Sequence, residues 1–166
     1  TDTTVDGQFR GVLEETGMSV KKEFEMVALA RRMDLFSIVY VATPEEAVEM
    51  AQAGADAIIV HVGTTVGGSI GVSSAVVNWD FAIQRTREII QAVRTVRKDV
   101  LFLAHGGPIN TPDDVDRILQ HTDVLGFVGA SSLERMAVEE SLTQLTRKFK
   151  ALKSPAAENF HFGESD

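Results

Sequence analysis

Leu101-Phe102-Leu103-Ala104-His105-Gly106-Gly107-Pro108-Ile109 decides the fold. A short apolar run of strand length ends in a histidine and opens into two glycines and a proline. A second stretch repeats the plan: Val124-Leu125-Gly126-Phe127-Val128-Gly129-Ala130-Ser131-Ser132 runs into a helical pattern at Leu133-Glu134-Arg135. Each reads as a buried parallel strand that opens through small residues onto a helix N-terminus. Free backbone N–H groups and the positive end of the helix dipole meet there, which suits a phosphate or carboxylate. The last two strands of a (β/α) barrel end this way at that fold's phosphate cradle.

The segments upstream follow the same alternation. Residues 21–33 carry an apolar stripe at helical spacing (Phe24, Val27, Ala28 and Leu29), and 35–41 is a β-branched apolar run. Thr43-Pro44-Glu45-Glu46 is a helix start, with Gly54 as its stop, and 57–61 is the next strand. A helix over about 80–97, a strand at 100–104, a helix from Thr111-Pro112 to about residue 120, a strand at 124–128 and a helix over about 133–152 complete the series. A further short strand is expected at 3–5. Strands alternating with helices imply right-handed crossovers and a parallel sheet. The expected fold is therefore α/β, as parallel (β/α) units in one domain over 1–153, with a frayed tail at 154–166. Four or five strands make roughly half of an eight-stranded TIM barrel. Rearrangement into an open doubly wound sheet, with its site at a topological switch point, is the rival architecture.

Composition narrows the function. The 166 residues are 44% hydrophobic and 24% charged, an ordinary globular profile, with a formal net charge of −8. That balance argues against nucleic acid and anionic membranes as partners, since both need a basic footprint. The absence of cysteine excludes disulfides and thiolate chemistry. No apolar stretch approaches a membrane span and no signal-peptide pattern opens the chain, so a cytoplasmic domain is expected.

His61 and His105 both end strands on the same rim, and imidazoles suit proton transfer near neutral pH. The competing reading is that they only hydrogen-bond loop backbone. Gly106 and Gly107, with Gly129, Ala130, Ser131 and Ser132, form the expected anion cradle. Arg135 adds a bidentate contact, or instead pairs with Glu139 on a solvated face. The long stretch at 63–78 (GTTVGGSIGVSSAVVN) exceeds the usual βα connection and reads as a lid or substrate loop, with Gly63, Thr64, Thr65, Gly67 and Gly68 as contacts. A flexible surface connection is the alternative there. Glu14 and Glu15 lie in a loop ahead of the first expected helix, where carboxylates suit Mg²⁺, although paired glutamates are also common on solvated helix ends. Asp56, at the opposite end of its strand, is expected to be structural.

The matching stretches LEETGM (13–18), YV (40–41), AGAD (53–56), HVGTTVGGSIG (61–71), HGGPI (105–109) and GFVGASSLERMAVE (126–139) resemble the C-terminal half of the phosphoenolpyruvate hydrolase-like TIM-barrel family. That domain also occurs with Tm-1-like ATP-binding domains. Val62, Thr64, Ala104, Val128 and Ala137 stand where the family usually has Met, Leu, Cys, Tyr and Pro. The resemblance implies that the four clear strands are barrel strands five to eight, with the chain starting around strand four. It also implies hydrolase or lyase-type chemistry on a small acid such as phosphoenolpyruvate, with Glu14 and Glu15 at Mg²⁺, Glu14 taking part in catalysis, and His61 and His105 as acid and base. A second function is open: a non-catalytic ligand-sensing or assembly half-barrel, completed as a homo-oligomer or by a partner carrying the missing strands.

Overall fold

The computed structural model describes residues 8–64, 66 and 78–151. The strand expected at 3–5 and the tail at 154–166 lie outside them. The element order is α1 (Gln8–Glu15), α2 (Lys21–Arg32), β1 (Ile38–Val41), α3 (Pro44–Ala53), β2 (Ala57–His61), α4 (Trp79–Arg94), β3 (Leu101–His105), α5 (Pro112–His121), β4 (Gly126–Phe127), a π-helical turn (Ser132–Met136) and α6 (Ala137–Lys150). Local chemistry explains several boundaries. Thr43 accepts the Glu46 N–H ahead of Pro44, and Gly54 ends α3 at φ 110°. Thr111 and Asp114 form a reciprocal capping box ahead of α5. Among the described residues no helix is long and apolar enough to cross a membrane.

All four strands are parallel and lie in the order β1-β2-β3-β4. A doubly wound sheet reverses its strand order at a switch point. This sheet has no reversal, so the open alternative is set aside. The faces agree. Val41, Ile58, Val60, Phe102 and Ala104 share one core with Val27 of α2, Ala47 and Met50 of α3, Ile89 and Val93 of α4, and Ile118 of α5. Helices thus gather on one face, as on the outside of a barrel. The other face carries Ile38, Tyr40, Ile59, His61, Leu101, Leu103 and His105, by the alternation of each strand. On that inner face Ile38 and Leu101 are exposed. The fold is the arc of a (β/α) barrel.

Two expectations need correction at the N-terminal side. The strand expected from 35 begins at Ile38, because Leu35 still donates its N–H to Ala30 O in the turn that ends α2. Glu14 and Glu15 are not in a loop but close α1, a helix disguised by Gly11 in its middle.

Opposite the rim, Asp56 ties the bottom of the sheet together. Its Oδ2 accepts the Ser37 N–H at 2.8 Å and its Oδ1 lies 3.6 Å from Arg31. Nearby Arg97 donates to Ala51 O (3.2 Å) and Ala55 O (2.9 Å) while pairing with Asp99 at 2.8 Å. Those are carbonyls at the end of α3, so one guanidinium fastens the α4–β3 turn to the neighbouring unit.

Candidate functional site

His61 and His105 are register partners at the C-terminal ends of β2 and β3. Equal register on parallel strands sends both side chains to the same face, and their ring centroids are 5.1 Å apart. Each ring is oriented by backbone. His105 Nδ1 lies 2.6 Å from Val128 O, and a carbonyl oxygen only accepts, so Nδ1 carries a proton. In the neutral ring this leaves Nε2 as the proton acceptor. His61 Nδ1 instead accepts the Gly63 N–H at 3.3 Å, which places the neutral ring's proton on Nε2. The two imidazoles are held in opposite tautomers.

The glycines make this arrangement possible by close approach. Gly106 and Gly107 have φ of 77° and 57°. A Cβ on Gly106 would sit 2.4 Å from Gly63 O, and one on Gly107 would sit 2.8 Å from Val62 O. The β2–β3 pairing continues past both strand ends: Val62 N–H donates to His105 O, Gly107 N–H to Gly63 O and Val66 N–H to Gly107 O. Asn110 Nδ2 adds a bond to Val66 O at 2.8 Å. Gly107's N–H is therefore spent inside the protein and is not offered to an anion. The N-terminus of α5 is likewise closed, since Asp114 Oδ2 accepts from both Asn110 N–H and Thr111 N–H. A carboxylate in that place repels a second anion.

The loop after β4 differs. Val128 N–H donates to Ala104 O, and the first helical bonds run from the N–H groups of Leu133 and Glu134 to Ala130 O. The N–H groups of Gly129, Ala130, Ser131 and Ser132 stand ahead of those bonds, where a helix start leaves donors without intrahelical partners. Ser131 and Ser132 are half-buried there. Arg135 sits one turn on and pairs with Glu139 at 2.9 Å, so its guanidinium follows the ion-pair alternative.

The remaining expected residues fall outside this cluster or outside the described chain. Gly63 and Thr64 are exposed at the rim, whereas Thr65, Gly67 and Gly68 lie outside the described residues. Glu14 Oε1 accepts the Val20 N–H at 3.0 Å at the start of α2. Among the described residues, no three His, Asp or Glu side chains converge as metal ligands, so Glu14 and Glu15 do not by themselves fit Mg²⁺. Cavities of about 180, 300 and 420 Å³ lie away from the two imidazoles. The smallest lies beside β1, at Met26, Ile38 and Tyr40, and the other two adjoin one another at Arg87 and His121, beside α4 and α5. His121 turns its Nδ1 to Arg117 O and takes no part in the rim.

One member of this cluster stands in the family-matching pair 40–41 but has no role among the expected site residues. Tyr40 of β1 packs its ring edge against His105 (5.1 Å between centroids) and His61 (6.2 Å). Burial pushes its phenol pKa up, which keeps the hydroxyl protonated. The available signal was positional: Tyr40 is two residues beyond Ile38 on the strand face that carries His61 on β2.

The phosphoenolpyruvate hydrolase-like family model matches residues 1–152. Two tomato (Solanum lycopersicum) proteins, the ToMV susceptible protein tm-1(GCR26) and the ToMV resistance protein Tm-1(GCR237), are each 43% identical over 148 residues. Those matches cover 89% of this chain and 20% of each tomato protein, so the chain spans about a fifth of their length. Among solved structures, the N-acetylmannosamine-6-phosphate 2-epimerase from Clostridium perfringens is 18% identical, with a TM-score of 0.44 over 76% of this chain and 47% of the epimerase. With the family model running almost from end to end, the chain belongs to the phosphoenolpyruvate hydrolase-like family.

Proposed function

We propose that this domain binds a small phosphorylated or carboxylated acid, such as phosphoenolpyruvate, at the C-terminal rim and hydrolyses it to pyruvate and phosphate. The opposed tautomers of His61 and His105 carry the reading. A proton donor and a proton acceptor side by side are what an acid–base hydrolysis requires. In that reaction a water oxygen attacks phosphorus as the bond from phosphorus to the enol oxygen breaks. His105 Nε2 takes the proton of the water, and His61 Nε2–H supplies one to the departing oxygen. The enol then tautomerises to pyruvate. The N–H groups of Gly129 to Ser132 hold the phosphoryl oxygens, while Gly63, Thr64, Thr65, Gly67 and Gly68 enclose the rest of the ligand. Mg²⁺ is part of the family expectation and would neutralise phosphoryl charge. Glu14 and Glu15 alone are an incomplete ligand set, and no step here runs through the ion.

The test is pyruvate release from phosphoenolpyruvate by the 166-residue chain, with and without MgCl₂, beside His105→Gln. General-base catalysis predicts a loss of about 10²–10⁴-fold in the variant. Release no faster than in buffer rejects the hydrolytic reading.

A second reading is favoured by the lower part of the inner face, where Ile38 and Leu101 are exposed. In it the domain is a cytoplasmic sensing or assembly half-barrel, completed by a second copy or by a partner that brings further strands. Light scattering behind a sizing column tests the second-copy form: a dimer supports it, and a ligand-binding monomer rejects it.

A further inference from the structure

Three side chains from three strands meet at the rim, and the rim reading above uses only two of them. Tyr40 sits on β1, in register with Ile59 and one step below His61. Neighbouring strands are about 4.8 Å apart, so the β1 and β3 backbones are separated by roughly 9–10 Å. The Tyr40 ring nevertheless lies 5.1 Å from the His105 ring, which means it reaches across β2 to stand against both imidazoles. On the concave side of a barrel arc, side chains from alternate strands share one layer, which is how Tyr40 comes to stand beside His105. The Tyr40 hydroxyl makes no hydrogen bond among the described residues, and burial keeps that group a neutral donor.

The strand order adds direction. Across the rim run Tyr40 on β1, His61 on β2, His105 on β3 and the Gly129–Ser132 loop after β4. An acid lying across the two imidazoles with its phosphoryl group at the β4 loop turns its other anionic end toward β1. We propose that Tyr40 is a specificity-determining residue of this site, its hydroxyl donating to the carboxylate of the bound acid. This rests on the anion-site reading above and adds a selection to it: phosphorylated carboxylic acids over phosphate alone.

The experiment titrates the full chain, its Tyr40→Phe variant and its Tyr40→Leu variant with phosphoenolpyruvate and separately with inorganic phosphate. The imidazole resonances of His61 and His105 report binding, assigned through His61→Gln and His105→Gln. Phe keeps the ring against the histidines, so the free-state resonances of Tyr40→Phe stay in place. Losing a hydrogen bond to a charged group weakens phosphoenolpyruvate about tenfold or more, and inorganic phosphate stays within about twofold, since its donors are unchanged. Phosphoenolpyruvate binding to Tyr40→Phe as to the native chain, with only Tyr40→Leu disturbed, overturns the inference and leaves Tyr40 a packing residue. An equal loss for both probes overturns the assignment to the carboxylate. If neither probe moves the native histidines, the anion-site reading itself falls and the inference falls with it.

Discussion

The two faces of this sheet are made of the same strands and do opposite things. On the helix side, Val41, Ile58, Val60, Phe102 and Ala104 are buried in one core with four helices. On the other side the alternate residues end in Tyr40, His61 and His105 at the rim, over a floor in which Ile59 is buried but Ile38 and Leu101 are exposed. The period of two in a strand divides each segment between stability and chemistry. A residue's contribution is thus set by its parity along the strand more than by its hydrophobicity.

The sharpest way to break that comparison is one truncation on each face. Ile58 is fully buried and its truncation to Ala is expected to cost about 2–5 kcal/mol in urea unfolding. Leu101, 42% exposed, loses less than about 1 kcal/mol on the same change. Equal losses would mean that the inner face is as well packed as the outer one in solution.

Gly106→Ala examines the join between the faces. With φ at 77° and a Cβ placed against Gly63 O, the substitution costs about 1–3 kcal/mol and shifts the His61 imidazole signal, because Gly63 N–H orients that ring. An unmoved signal would detach the glycine turn from the histidines.

Arg97→Ala, far from the rim, is expected to lower stability by about 1–2 kcal/mol and leave the His61 and His105 signals alone. Movement of those signals would couple the two ends of the sheet.

The smallest effect is in the pH profile. The Arg97 guanidinium, hydrogen-bonded to Asp99, holds that carboxyl below its usual value. The contribution is present above the unfolded carboxylate pKa and fades as pH falls through the lower folded value, on the acid side of about pH 4. Asp99→Asn removes that part of the acid limb, and acid unfolding curves that superimpose with the native chain would refute the coupling.

Most of the architecture was legible. Helix starts at Thr43-Pro44 and Thr111-Pro112, the stop at Gly54 and the run at 57–61 carry their own local signals, and each stands where those signals point, while the strand expected at 100–104 is displaced by one residue to Leu101–His105. The first helix was missed because Gly11 interrupts a short pattern, and the start of β1 was misplaced because apolar Leu35 and Phe36 lie in the connection that follows α2. The candidate site was legible in part. His61 and His105 announce themselves at strand ends before glycines, whereas Tyr40, although in the family-matching pair 40–41, has no glycine beside it and takes its place at the rim through the neighbouring strands.

The sequence alone determined the (β/α) alternation, the absence of thiol chemistry and the pair of strand-end histidines, because caps, periodicity and composition act within a few residues. Tertiary structure decided what depends on contacts between distant segments. The sequential strand order separated a barrel arc from a doubly wound sheet. Pairing past the strand ends spent Gly107 N–H on Gly63 O and left the loop after β4 with its helix-start donors. The tautomers of His61 and His105 were fixed by backbone groups of Gly63 and Val128, and no side-chain pattern encodes where a carbonyl 23 residues away will point.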